Sequence, residues 1–184
     1  MRNKSILNIQ STALLLAVLM IPLAGCLHED ETNNTVEDET NNTVECELVP
    51  YGHCSGEDFS GQDLSELNLT GIDLSYANLS GADLTNLNYA DLTGANLDSA
   101  ILDDAELEGA VLTGANLYYA SINNGTNLFI ADLTSADLTG ANLTGAVLHY
   151  ADFTDAIVTD SDFTDTAWYN TIWTDGVSYN ENQA

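Results

Sequence analysis

The chain has 184 residues, room for one domain of ordinary size with appendages. It carries 29 acidic residues against two basic ones, Arg2 and Lys4, so loss of the N-terminal stretch leaves 29 acids, no Lys or Arg, and a formal charge of −29. Such a surface repels nucleic acid and anionic membrane and favours cations or a basic partner. It also excludes Lys or Arg salt bridges as a source of stability.

Residues 1–25 have the layout of a secretory signal. Both positive charges lie at the start, and an apolar run from Ala13 to Ala24 follows, too short to span a bilayer comfortably. The run ends Leu23-Ala24-Gly25-Cys26, which resembles the lipobox of exported lipoproteins. That resemblance implies cleavage before Cys26 and lipid on its sulfur, with anchoring at the outer face of the cell membrane or envelope. More than one lipid chain would be needed for a stable hold.

Within the stretch 26–45, residues 29–44 are two copies of Glu-Asp-Glu-Thr-Asn-Asn-Thr-Val, with only Val36 and Val44 as apolar side chains. Burial cannot offset the entropy of ordering such a segment, so it is predicted to be a disordered, self-repelling tether. Cys46 and Cys54 follow with seven residues between them, and a disulfide is the leading expectation for an exported chain. A metal site from Cys46, His53 and Cys54 lacks an evident fourth ligand. Residues 46–58 are expected to cap the open end of what comes next.

From residue 59 to residue 175 a five-residue unit, A-(D/N)-L-(S/T)-G, recurs, as in Ala136-Asp137-Leu138-Thr139-Gly140-Ala141-Asn142-Leu143-Thr144-Gly145-Ala146. Its large residue steps by five from Phe59 to Leu84 and Tyr89, then by three to Leu92. It steps by five again to Ile122, by six to Leu128, and by five to Trp173. A period of five forms no single stripe on a helix and sends successive Leu side chains to opposite faces of a straight strand. A chain that bends once per unit keeps every Leu inside and a column of Ala beside it. The irregular steps at Tyr89–Leu92 and around Asn123-Asn124-Gly125 are expected to distort two corners or extrude small loops.

The repeat resembles the pentapeptide-repeat family. That resemblance implies an all-β fold, a right-handed quadrilateral β-helix with four units per coil and about six coils, leaving 176–184 as a tail. Gyrase-protecting members of that family are acidic rods, which implies a DNA-mimicking, topoisomerase-binding alternative that export would contradict. The aromatic C-terminal end, Trp168, Tyr169 and Trp173, is either a plug on the last coil or an interface for a second copy or another protein.

No catalytic constellation or phosphate loop is present in the sequence, and an enzyme is not expected. Asp73, Asp83, Asp132, Asp137, Asp152 and Asp162, each just before a large core residue, are expected to project outward in rows. They are the candidate ligands for a hard cation such as Ca²⁺, against the simpler reading of a solvated turn face. N-x-(S/T) sequons begin at Asn33, Asn41, Asn68, Asn78, Asn124 and Asn142. The functional expectation is a non-catalytic surface lipoprotein that presents a rigid acidic rod to an unidentified protein partner.

Overall fold

A computed structural model describes residues 45–180. The signal segment, Cys26, nearly all of the tether and the sequons at Asn33 and Asn41 lie outside the described residues.

Each five-residue unit makes one bend. In the unit around Leu74, the N–H of Ala77 donates back to the carbonyl of Leu74 at 3.0 Å, and Tyr76 between them has φ of 58°. A positive φ at the third residue is the signature of a type II turn, which is why Gly so often fills this slot. The remaining backbone groups pair with the neighbouring coils. Leu74 N–H donates to Asp91 O at 2.8 Å, Tyr76 N–H to Thr93 O at 2.8 Å, and Asp73 N–H to Gly52 O at 2.9 Å. The N–H of Ser75 instead goes to a nearby side chain, Asp73 Oδ1, at 3.0 Å. Every N–H of the unit therefore has a partner, as burial of the backbone demands.

Repetition of this pattern builds four columns of parallel bridges. One runs His53, Asp73, Asp91, Val111, Asp132, Asp152, Ile172; the others start at Asp58, Asp63 and Asn68. Among the described residues, regular strands are confined to β1 (Thr171–Ile172) and β2 (Ser178–Tyr179), an antiparallel pair with Thr171 opposite Tyr179. The reason is geometric: each side of the square is one unit long, so it offers a single bridging residue between two turns.

Inside, the Leu column and the Ala column are sealed from water. Leu69, Leu79, Leu97, Leu133 and Leu143 are all fully buried, as are Ala77, Ala95 and Ala136. Each buried Leu contributes about 1.5–3 kcal/mol relative to exposure. The core column starts at Cys54, before the first unit expected from the sequence, and Cys54 is disulfide-bonded to Cys46 with an S–S distance of 2.04 Å. At the other end Phe153, Phe163, Trp168 and Trp173 pack together with ring centroids 4.7–6.1 Å apart.

The two irregular steps are absorbed differently, and the first is not where the sequence reading put it. Tyr89 is 53% exposed with φ of 60°, whereas Leu87 is fully buried. The short step therefore lies between Leu84 and Leu87, where the turn is omitted. The coil there shortens, so that Asn68 bridges Asn86 and Asp73 bridges Asp91. Tyr89 is not a core residue but stands in the outward turn slot. The extra residue near Asn123-Asn124-Gly125 enlarges one corner, and Thr126 fills an Ala position. Its buried hydroxyl, 2.7 Å from both Leu102 O and Asn123 O, ties the enlarged corner to the coil before it.

Gly94 and Gly81 separate two effects of the turn slot. Both have positive φ, 62° and 65°, but a Cβ on Gly94 would meet the Tyr76 ring at 2.6 Å, while one on Gly81 would meet nothing within 4 Å. Gly81→Ala is expected to cost about 1–2 kcal/mol, the left-handed penalty alone. Gly94→Ala is expected to cost more. Urea unfolding of the two variants measures the difference.

Candidate interaction faces of the rod

The residues singled out in the sequence distribute over several faces. Asp73, Asp132 and Asp152 share one column, Asp137 stands in a second, and Asp83 and Asp162 in a third. Most are half-buried and turned back on their own loop rather than projecting freely. Asp137 Oδ1 accepts from Thr139 N–H at 3.0 Å and from its hydroxyl at 2.6 Å; Asp152 does the same with Thr154, at 2.8 and 2.5 Å. The carboxylate completes the backbone accounting of the turn, so the rows are structural staples. Among the described residues no group of three His, Cys, Asp or Glu side chains is arranged to hold a metal ion.

Asn dilutes the charge within a column. Asn78 donates through Nδ2 to Asp58 Oδ1 at 3.0 Å, Asn96 to Asn78 Oδ1 at 3.1 Å, and Asn116 to Asn96 Oδ1 at 2.9 Å. This ladder gives like-charged coils a hydrogen-bonded contact in place of repulsion. The amide of the Asn78 sequon is thereby engaged, whereas Asn124 is exposed at the enlarged corner.

The local hydrogen bonds set the acidity of these groups. Burial pushes the Asp132 carboxyl up, but hydrogen bonds from Thr134 and Thr113 outweigh it and hold the group below the usual carboxylate range. The Thr164 hydroxyl and N–H similarly hold Asp162 down. The phenol of Tyr89, donating to Glu108 Oε1 at 2.5 Å, is held above its ordinary value by that bond first and by loss of hydration second.

Of the aromatic candidates at the C-terminal end, Trp168 and Trp173 are partly buried against the core. The Trp168 indole N–H donates to Thr166 Oγ1 at 2.5 Å. Tyr169 is different. It is exposed and meets Tyr150 edge-on at 5.3 Å, and Tyr150 in turn meets Phe129 at 5.6 Å.

Tyr150 belongs to a lateral seam that the sequence reading missed. Along the corner that follows the Asn68, Asn86, Glu106, Asn127, Val147 column, the turn slots hold Gly71, Tyr89, Gly109, Ile130 and Tyr150, with Tyr51 below Gly71. From Tyr51 to Gly109 rings and glycines alternate because each ring covers the next coil; Ile130 and Tyr150 then follow on successive coils. A Cβ on Gly71 would collide with the Tyr51 ring, and one on Gly109 would lie 2.6 Å from the Tyr89 ring. Tyr76 and Tyr119 use the same device singly on other corners. The available signal was Tyr standing two residues after a core Leu, in the place of Gly.

Residues 54–88, 90–125 and 126–165 match the family model for pentapeptide repeats, in eight copies. The chain belongs to the pentapeptide-repeat family. Membership implies the right-handed quadrilateral β-helix, whose four sides are the four bridge columns. Several solved structures are similar to the chain. HetL, involved in heterocyst differentiation regulation in Nostoc sp. strain PCC 7120, is 25% identical over 69% of this chain and 78% of its own, with a TM-score of 0.31. A pentapeptide repeat protein of the Arabidopsis thaliana thylakoid lumen is 28% identical over 68% and 71%, with a TM-score of 0.21. QnrB1, a plasmid-mediated fluoroquinolone resistance protein, is 18% identical over 70% and 87%, with a TM-score of 0.37. Comparison with curated proteins finds no match.

The depressed pKa of Asp132 fixes a sign. A carboxyl held lower in the folded than in the unfolded chain adds stability that is fully present above about pH 4 and is lost as pH falls through the folded value. The stability difference between wild type and Asp132→Asn is therefore expected to shrink steadily below about pH 4. Chemical denaturation across that range reads it.

Proposed function

We propose that this pentapeptide-repeat protein is a non-catalytic lipoprotein. Lipid on Cys26 anchors it at the outer face of the membrane or envelope. The acidic stretch up to Glu45 acts as a spacer, and a rod of about six coils, ~29 Å long at the spacing of paired strands, is offered to a protein partner. The observation that carries the reading is the sequence Leu23-Ala24-Gly25-Cys26 closing an apolar run, followed within the same chain by the Cys46–Cys54 disulfide. Disulfides persist in oxidising compartments, so the two features agree on the side of the membrane. A core filled by Leu, Ala and aromatic side chains leaves only the outside for function. The polar groups there already serve the turns, which supports recognition over catalysis.

The wild-type chain expressed in a host with lipoprotein processing is expected in the membrane fraction, and Cys26→Ser in the soluble exported fraction. Wild-type protein recovered from the cytosol would contradict the proposal.

A further inference from the structure

The aromatic seam coincides with the longest acidic row on the rod. Two residues after each seam position comes the next bridge column. Gly71 is thus followed by Asp73, Tyr89 by Asp91, Ile130 by Asp132, and Tyr150 by Asp152, with Val111 as the one neutral rung between Asp73 and Asp152. One lateral edge thus carries the exposed rings of Tyr51, Tyr89 and Tyr150 beside a line of carboxylates from Asp73 to Asp152, with His53 as the rung next to Tyr51. Tyr51 is 69% exposed, Tyr89 53% and Tyr150 44%, so the rings are spread along the edge rather than gathered at one end.

We propose that this edge is the docking surface for an extended, Lys/Arg-rich segment of a partner protein. The proposal rests on the protein-interaction role above and specifies the chemistry of the partner. Charge decides the occupant. The chain has two basic residues, both within its first four positions, so a second copy brings the same acidic edge and is repelled. A basic segment meets the complementary field, and its cations can sit over tyrosine faces while neighbouring carboxylates accept their N–H groups. Spacing decides the conformation. From Tyr51 through Gly71, Tyr89 and Gly109 to Ile130 a large side chain stands on every second coil, or every ~9.6 Å at ~4.8 Å per coil, and Tyr150 follows on the next coil. A polyproline II strand presents equivalent side chains every third residue, ~9.3 Å apart. Such a segment lies along the edge with two of its basic side chains in phase with Tyr51 and Tyr89.

The test uses the purified full-length chain in detergent and a fluorescent peptide of four Arg-Pro-Pro repeats as probe, read by anisotropy at fixed ionic strength. Wild type is expected to bind. The Tyr51→Ala/Tyr89→Ala/Tyr150→Ala variant is expected to bind about tenfold more weakly, the size of a few lost cation–π contacts. Asp73→Asn/Asp91→Asn is expected to weaken binding as well, whereas Asp98→Asn/Asp103→Asn, away from the edge, is expected to leave it unchanged. Because Tyr89 also covers Gly109, a triple Tyr→Leu variant, which keeps the covering bulk, serves as the second probe and must show the same loss. Equal weakening by both acidic pairs with no effect of either Tyr variant would overturn the proposal, since that is attraction to any polyanion. Seam-dependent binding of cellohexaose with none of the peptide would also overturn it, in favour of a glycan platform. A wild type found in the membrane fraction that fails to bind the peptide refutes this inference alone and leaves the lipoprotein reading standing.

Discussion

Everything in this fold depends on one repeated constraint: each five-residue unit must bend so that its large side chain points inward while its N–H groups find partners. Three of those groups reach the coils on either side, as Leu74, Tyr76 and Asp73 do, and one closes the turn, as Ala77 does. The last is taken by the Asp or Asn that precedes the core residue. Glycine or a left-handed Tyr, the small Ala and the Asx side chain are therefore parts of one solution. Changing any of them leaves a backbone group unpaired, a methyl group without space or a side chain in a strained left-handed conformation. With no Lys or Arg in the described residues, the rod is held by apolar stacking and by hydrogen bonds. The column that starts at Asp58, where Asn78, Asn96 and Asn116 each donate an amide hydrogen to the rung before, shows how a strongly acidic chain keeps its coils in register.

Two ends and two faults interrupt this regularity, and each has its own remedy. The first coil is pinned by the Cys46–Cys54 disulfide, with Cys54 itself serving as the lowest core residue. The last coil is closed by four stacked aromatic rings and the short β1–β2 hairpin. A coil shortened at Leu84–Leu87 and a corner enlarged at Asn123–Gly125 both return to register within one turn of the solenoid. The stack tolerates them because each coil contacts only its neighbours.

The solenoid was legible in the sequence because a period of five is incompatible with helix and strand alike. The Leu and Ala columns were read correctly for that reason. Tyr89 was misread because two placements of the short step, before or after it, restore the same register at Leu92; only burial separates Leu87 from Tyr89. The outward rows of carboxylates were overestimated, since Asp73, Asp137 and Asp152 spend Oδ1 on their own turns. The alignment of the lateral seam was not legible. Tyr51, Tyr89 and Ile130 are distant in sequence, and they line up only once the shortened and lengthened coils are counted correctly.

Amide hydrogen exchange by NMR tests the central claim most directly. The inter-coil donors of the middle coils, Leu92, Leu97, Leu112 and Leu117 among them, are expected to exchange only at the limit of global unfolding. The N–H groups held by side chains, such as those of Thr93 and Thr134, are expected to exchange faster. Protection confined to residues 171–179, with rapid exchange at the Leu positions between 64 and 148, would contradict the account.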